Sequence, residues 1–293
     1  MSTPLVTVVT PTFNMANWLP TCIDSIFSQN YPRLEYIVVD GGSTDNTVEV
    51  LRGYGNKLRF LSEKDKGPSD AAYKGFAMGT GEIFAWLNAD DIYYPGAIRA
   101  AVEYLEAHPE IDVVYGDGNW IDDDGSVISA YPTLDFDARI LQRDCFICQP
   151  SAFMRASAYR KCSLDPDWNF SFDYDLWIRM AKAGFRFQRI PGMFSGSRLH
   201  RGSLTIYERE RVYTMGIKLL SRHYGYVPVS WVFGYTSYKR DGRDQVFEAM
   251  KPTLGAYLAS LPEGFRYNPQ SKLRYLTEWI QTPLRGALRR LTA

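Results

Sequence analysis

The sequence is short of net charge, of cysteine, of histidine and of any long hydrophobic run. Lys plus Arg and Asp plus Glu each number 33, so the formal charge is zero. A general nucleic-acid binder needs a strongly basic face to neutralise phosphates; this balance excludes nucleic acid as the partner. Four cysteines occur in 293 residues. Cys22, Cys145, Cys148 and Cys162 are scattered. Cys145 and Cys148 have C-x-x-C spacing, but no second Cys/His pair stands at zinc-ligand spacing, so buried, reduced thiols of a cytoplasmic protein are expected. No run reaches the roughly 18 apolar residues that a spanning helix needs. The N-terminus reads Met-Ser-Thr-Pro and goes straight into a strand pattern. It lacks the basic and apolar segments of a secretory leader.

What the chain does contain is apolar and aromatic. Hydrophobic residues make up 45%, charged residues 23% and Phe, Trp and Tyr together 15%. That composition fills the core of one large domain, or of one domain plus an appendage. The first half alternates strand and helix signals. Leu5–Thr10, Tyr36–Val39, Leu58–Leu61, Ile83–Leu87 and Val113–Tyr115 are short apolar runs. Between them lie Leu19, Cys22, Ile23, Ile26 and Phe27 at helical spacing, with Asn17 as a candidate cap. A helix from Asp45 to Arg52 follows, then one from a Ser69 cap to Met78, and one through Ile98, Ala101, Val102 and Leu105. This alternation predicts an α/β fold with a mostly parallel central sheet flanked by helices, a Rossmann-like nucleotide-binding half.

The second half is less regular. Asp124-Gly125 reads as a hairpin turn, Phe172–Ala183 as a helix, Ser195–Ser203 as a loop and Tyr207–Tyr224 as a helix. Aromatics and proline dominate Tyr226–Tyr238. The expected organisation is a catalytic domain over 1–225, divided into a nucleotide-binding half (1–116) and an acceptor half (117–225), with a C-terminal helical extension over 226–293.

In open α/β sheets, ligands bind beyond the carboxyl ends of the strands. Thr12, Asn14, Asp40, Glu63, Asp65, Asp90 and Asp91 occupy such ends. The run Leu87-Asn88-Ala89-Asp90-Asp91 is the most informative, because adjacent carboxylates repel and resist desolvation unless a cation joins them. The alternative is a solvated turn with Asp91 capping the next helix. Val38-Val39-Asp40-Gly41-Gly42-Ser43-Thr44-Asp45 is a strand ending in Asp, then a Gly pair that lets a ligand approach the backbone, then a helix cap. Pro11-Thr12-Phe13-Asn14 ends the first strand in the same neighbourhood.

Pro11–Asn14, Val38–Asp45, Ser62–Gly67 and Asn88–Asp91, in that order, resemble family 2 of the glycosyltransferases, of GT-A fold and bacterial cell-surface polysaccharide type. The resemblance covers roughly residues 5–205. It implies that Pro11, Thr12, Phe13, Asn14, Asp40 and Asp65 surround the base and ribose of a nucleotide-sugar donor, and that Asp90 lies near the ribose. It also implies that Asp91 ligates Mn²⁺ or Mg²⁺ on the diphosphate.

Phe170-Ser171-Phe172-Asp173-Tyr174-Asp175-Leu176-Trp177 offers two candidate bases. At about 100° per residue, Asp173 falls on the face of Leu176, Trp177 and Met180, and Asp175 falls roughly opposite, toward water. Asp173 can equally be a helix cap. The family often carries an E-D-Y-D-L-W-like motif here whose first Asp is the base, so the resemblance assigns Asp173 that role. It implies inversion at the anomeric carbon. Phe172 stands where Glu is common. His200, in Arg198-Leu199-His200-Arg201-Gly202-Ser203, matches a family His that joins the metal or diphosphate. Arg198 and Arg201 are candidates for the departing diphosphate on a closing loop. Gln149, Trp168 and Tyr174 are candidates for the acceptor side.

The function implied is inverting, metal-assisted transfer from a nucleotide diphosphate sugar, UDP-sugars first, to a hydroxyl of a glycan or lipid-linked glycan. A non-catalytic nucleotide-sugar or glycan-binding protein is the alternative. A nucleotidyltransferase is disfavoured, since Pro11–Asn14 is not a Gly-rich basic phosphate loop. A spanning polysaccharide synthase is disfavoured by the missing spans and the missing Q-x-x-R-W run. From Ser271 on, Lys272, Arg274, Arg285, Arg289 and Arg290 face only Glu278. Leu273, Leu276, Trp279 and Ile280 repeat at helical spacing, and Leu284, Leu288 and Leu291 follow Pro283. Such a basic amphipathic tail reads as a peripheral membrane contact at the inner face of the cell membrane, with Tyr226–Tyr238 adding to it. A helix packed on the catalytic domain or on a second subunit of a homodimer is the other reading.

Overall fold

A computed structural model describes residues 3–241 and 253–291; the side chains of Asp241 and of residues 283–291 lie outside that description. The chain divides into two compact units, Met1–Leu141 with Cys145–His200, and Gln142–Asp144 with Arg201–Ala293.

The first unit is built on one mixed sheet. Its strands are β1 (Val6–Thr12), β2 (Leu34–Asp40), β3 (Arg59–Ser62), β4 (Ile83–Trp86), β5 (Ile92–Tyr93), β6 (Val113–Ile121), β7 (Val127–Ala130), β8 (Ala152–Arg155) and β9 (Phe187–Arg198). They lie in the order β3-β2-β1-β4-β8-β6-β9-β5, with β7 paired to β6. The four strands β3-β2-β1-β4 are parallel throughout, as strand–helix alternation dictates. Beyond β4, antiparallel β8 reverses the pattern, and β6 then pairs in parallel with β9.

Period-2 burial places the helices. On β2, Tyr36 and Val38 join one core with Leu19, Cys22, Ile23 and Ile26 of α1 (Leu19–Phe27), while Ile37 and Val39 face Ala71 and Met78 on the other side. The four α1 side chains are fully buried at i, i+3, i+4 and i+7, each stabilising the fold by about 2 kcal/mol. Helices α2 (Thr47–Gly53), α3 (Pro68–Met78) and α4 (Ala97–Ala107) follow β2, β3 and β5, and α5 (Ala138–Leu141), α6 (Ala156–Lys161) and α7 (Phe172–Lys182) belong to the second half. Trp18, not Asn17, holds the cap position of α1, and Gly67, not Ser69, that of α3.

Two expectations are corrected here. Ser195–Ser203 is not a free loop: its first four residues finish β9, paired residue by residue with Gly118–Ile121 of β6. Serine and glycine there make a close strand pair, which composition alone reads as a loop. The aromatic stretch Tyr226–Tyr238, expected to add to a membrane surface, is largely core. It lies in the second unit, which holds α8 (Leu204–Tyr207), α9 (Arg209–Tyr224), α10 (Val229–Asp241), α11 (Leu254–Tyr267) and α12 (Lys272–Leu291). Tyr226, Val227, Val229, Val232 and Tyr235 form that unit's core with Tyr213, Ile217 and Tyr275.

Helix α12 docks through Tyr275, Glu278 and Trp279 and not through Leu273 or Ile280. Tyr275 is fully buried while Leu273 and Ile280 are 78% and 53% exposed. Glu278 accepts from Tyr226 Oη and Arg143 Nη2, each at 2.6 Å. Arg285, Arg289 and Arg290, and the leucines after Pro283, fall where side chains are not described. Among the described residues no helix is long and apolar enough to cross a membrane.

Candidate active site

The parallel strands end in register, Thr12 beside Asp40 and Asp40 beside Ser62. Asp40 is fully buried. Its carboxylate accepts from Ser43 N and Oγ and, at 2.6 Å, from Ser62 Oγ. Asn14 adopts φ +53, and its Oδ1 accepts Thr44 N at 2.8 Å. These two residues therefore tie the β2–α2 turn to β1. This corrects the expectation that Asp40 takes a base N–H directly: every face of it is already enclosed. Pro11 is buried behind the turn. What the strand ends do offer is Thr12 Oγ1, buried without a hydrogen-bond partner, and Phe13, 55% exposed. Asp65 lies against Gly41, where a Cβ would stand 2.6 Å from its Oδ2. Burial raises its pKa above the ordinary carboxylate range, against the pull of the Gly67 N–H.

The acidic run follows β4. Asp91 is 3% exposed and far from the start of α4, so it is no helix cap. Its Oδ1 accepts Arg198 N at 2.8 Å and its Oδ2 accepts Asn88 Nδ2 at 3.3 Å. Burial, and then the neighbouring Asp90, hold its carboxyl well above the usual range. Asp90 Oδ2 stands 3.2 Å from His200 Nε2, and the His200 ring packs 4.2 Å from the ring of Trp18. Among the described residues no three His, Cys, Asp or Glu side chains gather as a closed metal cage. A Mg²⁺-type ion does not need one, since it takes one or two carboxylates and draws the rest from phosphates and water. The donor set fits such an ion. Asp91 accepts from Arg198 N, Asn88 Nδ2 and the Ser197 side chain, which leaves one of the roughly four lone-pair sites of a carboxylate for a cation. Asp90 and His200 present an oxygen and a nitrogen at the spacing of adjacent octahedral ligands, about 3 Å for bonds of about 2.1 Å.

Arg198 departs from its expected role at the diphosphate. It is 5% exposed, and it donates through Nε to Asp90 O at 2.8 Å and through Nη1 to Asp122 O and Asp123 O. It is a strut between the acidic run and the β6–β7 turn. Arg201 is exposed.

Asp173 is the second residue of α7, after Ser171 at φ +51. Its carboxyl is half-buried and densely surrounded. Desolvation raises its pKa, and its own and the Tyr174 N–H groups oppose the rise. Trp86, the last residue of β4, stacks on Phe172 at 6.1 Å and Trp177 at 5.6 Å. The start of α7 is thereby set at the same strand end as Asn88–Asp91. The expectation that Asp175 faces water is wrong. It is 2% exposed and bonded at 2.6 Å to Arg179 Nε, because protein surrounds this helix on more than one side.

The three acceptor-side candidates are also buried, Gln149 at 9%, Trp168 at 7% and Tyr174 at 1% exposure. Tyr174 Oη donates to Leu141 O at 2.6 Å. Gln149 Nε2 donates to Trp86 O at 2.8 Å. Sequence reading had no signal for Trp18, whose role is a ring contact across the fold, and undervalued Asn88, which precedes the carboxylates and binds one of them.

Comparison with known proteins accords with this geometry. A Rickettsia felis protein named an uncharacterized glycosyltransferase is 31% identical over 194 residues, 61% of this chain and 32% of its own. A Mycobacterium bovis PGL/p-HBAD biosynthesis glycosyltransferase is 36% identical over 122 residues, 40% of this chain and 48% of its own. The chain spans about one third to two thirds of the length of the first Rickettsia relatives it matches. S. aureus TarS 1–349, solved with UDP-GlcNAc, superposes with a TM-score of 0.62 at 15% identity, covering 92% of this chain and 82% of that one. A mannosyltransferase from Pyrobaculum calidifontis, solved with GDP-Man and Mn²⁺, superposes with a TM-score of 0.59 at 20% identity, covering 99% and 81%. At such identities the likeness concerns the fold, which is GT-A. The family model for glycosyl transferase family 2 matches residues 7–162, more than half of the chain and including all four strand-end runs described above, and the chain belongs to that family.

Proposed function

We propose that the protein transfers a sugar from a nucleotide diphosphate donor to an acceptor hydroxyl with inversion, Asp173 acting as the base. The observation that supports this reading is the stacking of Trp86, at the strand end that leads into Asp90 and Asp91, on Phe172 and Trp177, which flank Asp173 on α7; Asp90 in turn bonds His200. Asp173, once ionised, takes the acceptor proton as the hydroxyl oxygen attacks the anomeric carbon from the side opposite the diphosphate. Its raised pKa makes it a stronger base than an exposed aspartate. Asp91 and His200 would hold a divalent ion, which would neutralise charge on the leaving diphosphate, and Asp90, bonded to His200, would lie near the ribose. Thr12, Phe13 and Asp65 flank the nucleoside. UDP- and GDP-sugars are the first donors to test, given the ligands of TarS and of the Pyrobaculum mannosyltransferase.

The second unit serves as an extension. Leu273 and Ile280, exposed on α12 beside exposed Lys272 and Arg274, support peripheral contact with an anionic membrane surface, where a lipid-linked glycan acceptor would lie. The test of the main reading is release of free nucleotide from a panel of UDP-, GDP- and dTDP-sugars, with and without EDTA. Wild type is expected to turn over one donor and to stop in chelator. Donor binding with equal, negligible release by wild type and Asp173→Asn would instead make this a binding protein.

A further inference from the structure

We propose that Gln149 is a positioning residue for the metal-binding carboxylate Asp91, acting through Asn88; this rests on the reading of Asp91 given above. Gln149 opens the short turn before β8, and Trp86 lies one residue past the last β4–β8 pair. The Trp86 carbonyl can only accept. The amide nitrogen of Gln149 must therefore face it, at 2.8 Å, and this fixes the amide's orientation. Gln149 Oε1 is left facing Asn88, whose Nδ2 donates to it at 3.1 Å. The same nitrogen sends its other hydrogen to Asp91 Oδ2 at 3.3 Å. Every link has one permitted direction, and the last delivers an N–H to the carboxylate. The Asn88 main chain is held as well, its carbonyl accepting Asp91 N at 3.0 Å and Cys22 Sγ at 3.4 Å. With Arg198 N on Oδ1 and the Ser197 side chain also bonding to the carboxylate, Asp91 is held in a single orientation.

Outer partners of a metal ligand typically contribute 10–100-fold in metal affinity. Gln149 is thus remote from the acceptor in its effect, although buried beside the site. The probes are Mn²⁺ and a nucleoside diphosphate, UDP, GDP or dTDP, whichever the wild type binds. Manganese affinity is read by electron paramagnetic resonance without turnover. Gln149→Met and Asn88→Ala should each weaken Mn²⁺ binding about 10-fold or more while leaving the acceptor KM unchanged. Because the two act in series, the double variant should lose little more than either single one. Unchanged Mn²⁺ affinity in folded Gln149→Met, with a raised acceptor KM, would overturn the proposal in favour of an acceptor contact. Additive losses would overturn the serial link. If Gln149→Met does not fold, Gln149→Glu, whose carboxylate cannot donate to the Trp86 carbonyl and so loses the fixed orientation, asks the same question of the same position by the same Mn²⁺ titration. Failure of the underlying reading is distinct: wild type and Asp91→Ala would then bind Mn²⁺ equally poorly.

Discussion

Replacing Arg198 separates a strut from a diphosphate clamp. The guanidinium satisfies three main-chain carbonyls, of Asp90, Asp122 and Asp123, from a nearly inaccessible position. Hydrogen bonds from a charged donor contribute about 1.5–3 kcal/mol each. Asp122 is half-buried and Asp123 exposed, so water recovers much of the loss at those two carbonyls. Asp90 O, next to buried Asp91, recovers least. Arg198→Leu should cost about 3 kcal/mol, which for a unit of this size lowers its melting temperature by roughly 6–12 °C. Arg198→Lys should be nearly as damaging, since a single ammonium cannot span the fork. Calorimetry of the full chain, with its first-unit transition assigned by added nucleoside diphosphate, measures this. A melting point within about 1 °C of wild type for both variants, with loss of donor affinity alone, would refute the reasoning and restore Arg198 to the diphosphate.

Asp173→Asn should lower kcat about 100-fold or more with donor affinity retained, whereas Asp175→Asn, which breaks a buried pair with Arg179, should cost about 3–5 kcal/mol of stability; comparable kcat losses with both proteins fully stable would contradict the assignment. Burial raises the Asp173 pKa, so its base form is lost as pH falls through a value above the ordinary carboxylate range. The acid limb of kcat/KM should lie correspondingly high, and a limb near the usual value of about 4 would contradict this. Glu278→Ala strands Tyr226 Oη and Arg143 and should lower the second unit's melting transition by the equivalent of about 2–4 kcal/mol; an unchanged transition would mean that α12 does not depend on it. The full chain should co-sediment with anionic liposomes and detach as salt rises. A chain that stays in solution at low salt would argue against membrane contact and leave the exposed α12 leucine and isoleucine to a second copy.

Much of the first unit was legible because periodicity and strand ends are local signals. The apolar runs Leu5–Thr10 and Tyr36–Val39 locate β1 and β2, whose observed bounds are Val6–Thr12 and Leu34–Asp40, and helical spacing locates α1. The Asp124-Gly125 turn closes β6 on β7 as its dipeptide dictates. The acidic run was legible because two adjacent carboxylates demand an explanation. What was not legible depended on partners distant in sequence. Helical phase sent Asp175 to solvent, but Arg179 and the turn at Ser163 enclose it. Composition made Ser195–Arg198 a loop, but β6 supplies its hydrogen bonds. Aromatic density made Tyr226–Tyr238 an interface, but α9 and α12 cover it.

The close approach of Asp65 to Gly41 constrains how this protein can change over evolutionary time. The turn after β2 opens with Gly41. Its missing Cβ is filled by a carboxylate reaching across from the end of β3. A side chain at 41 and Asp65 in its present place exclude one another. An Asp at 41 becomes tolerable only after 65 has shrunk or turned away, while loss of Asp65 first leaves a gap and no acid. The two positions are therefore coupled: any side chain at 41 obliges the Asp65 carboxylate to move.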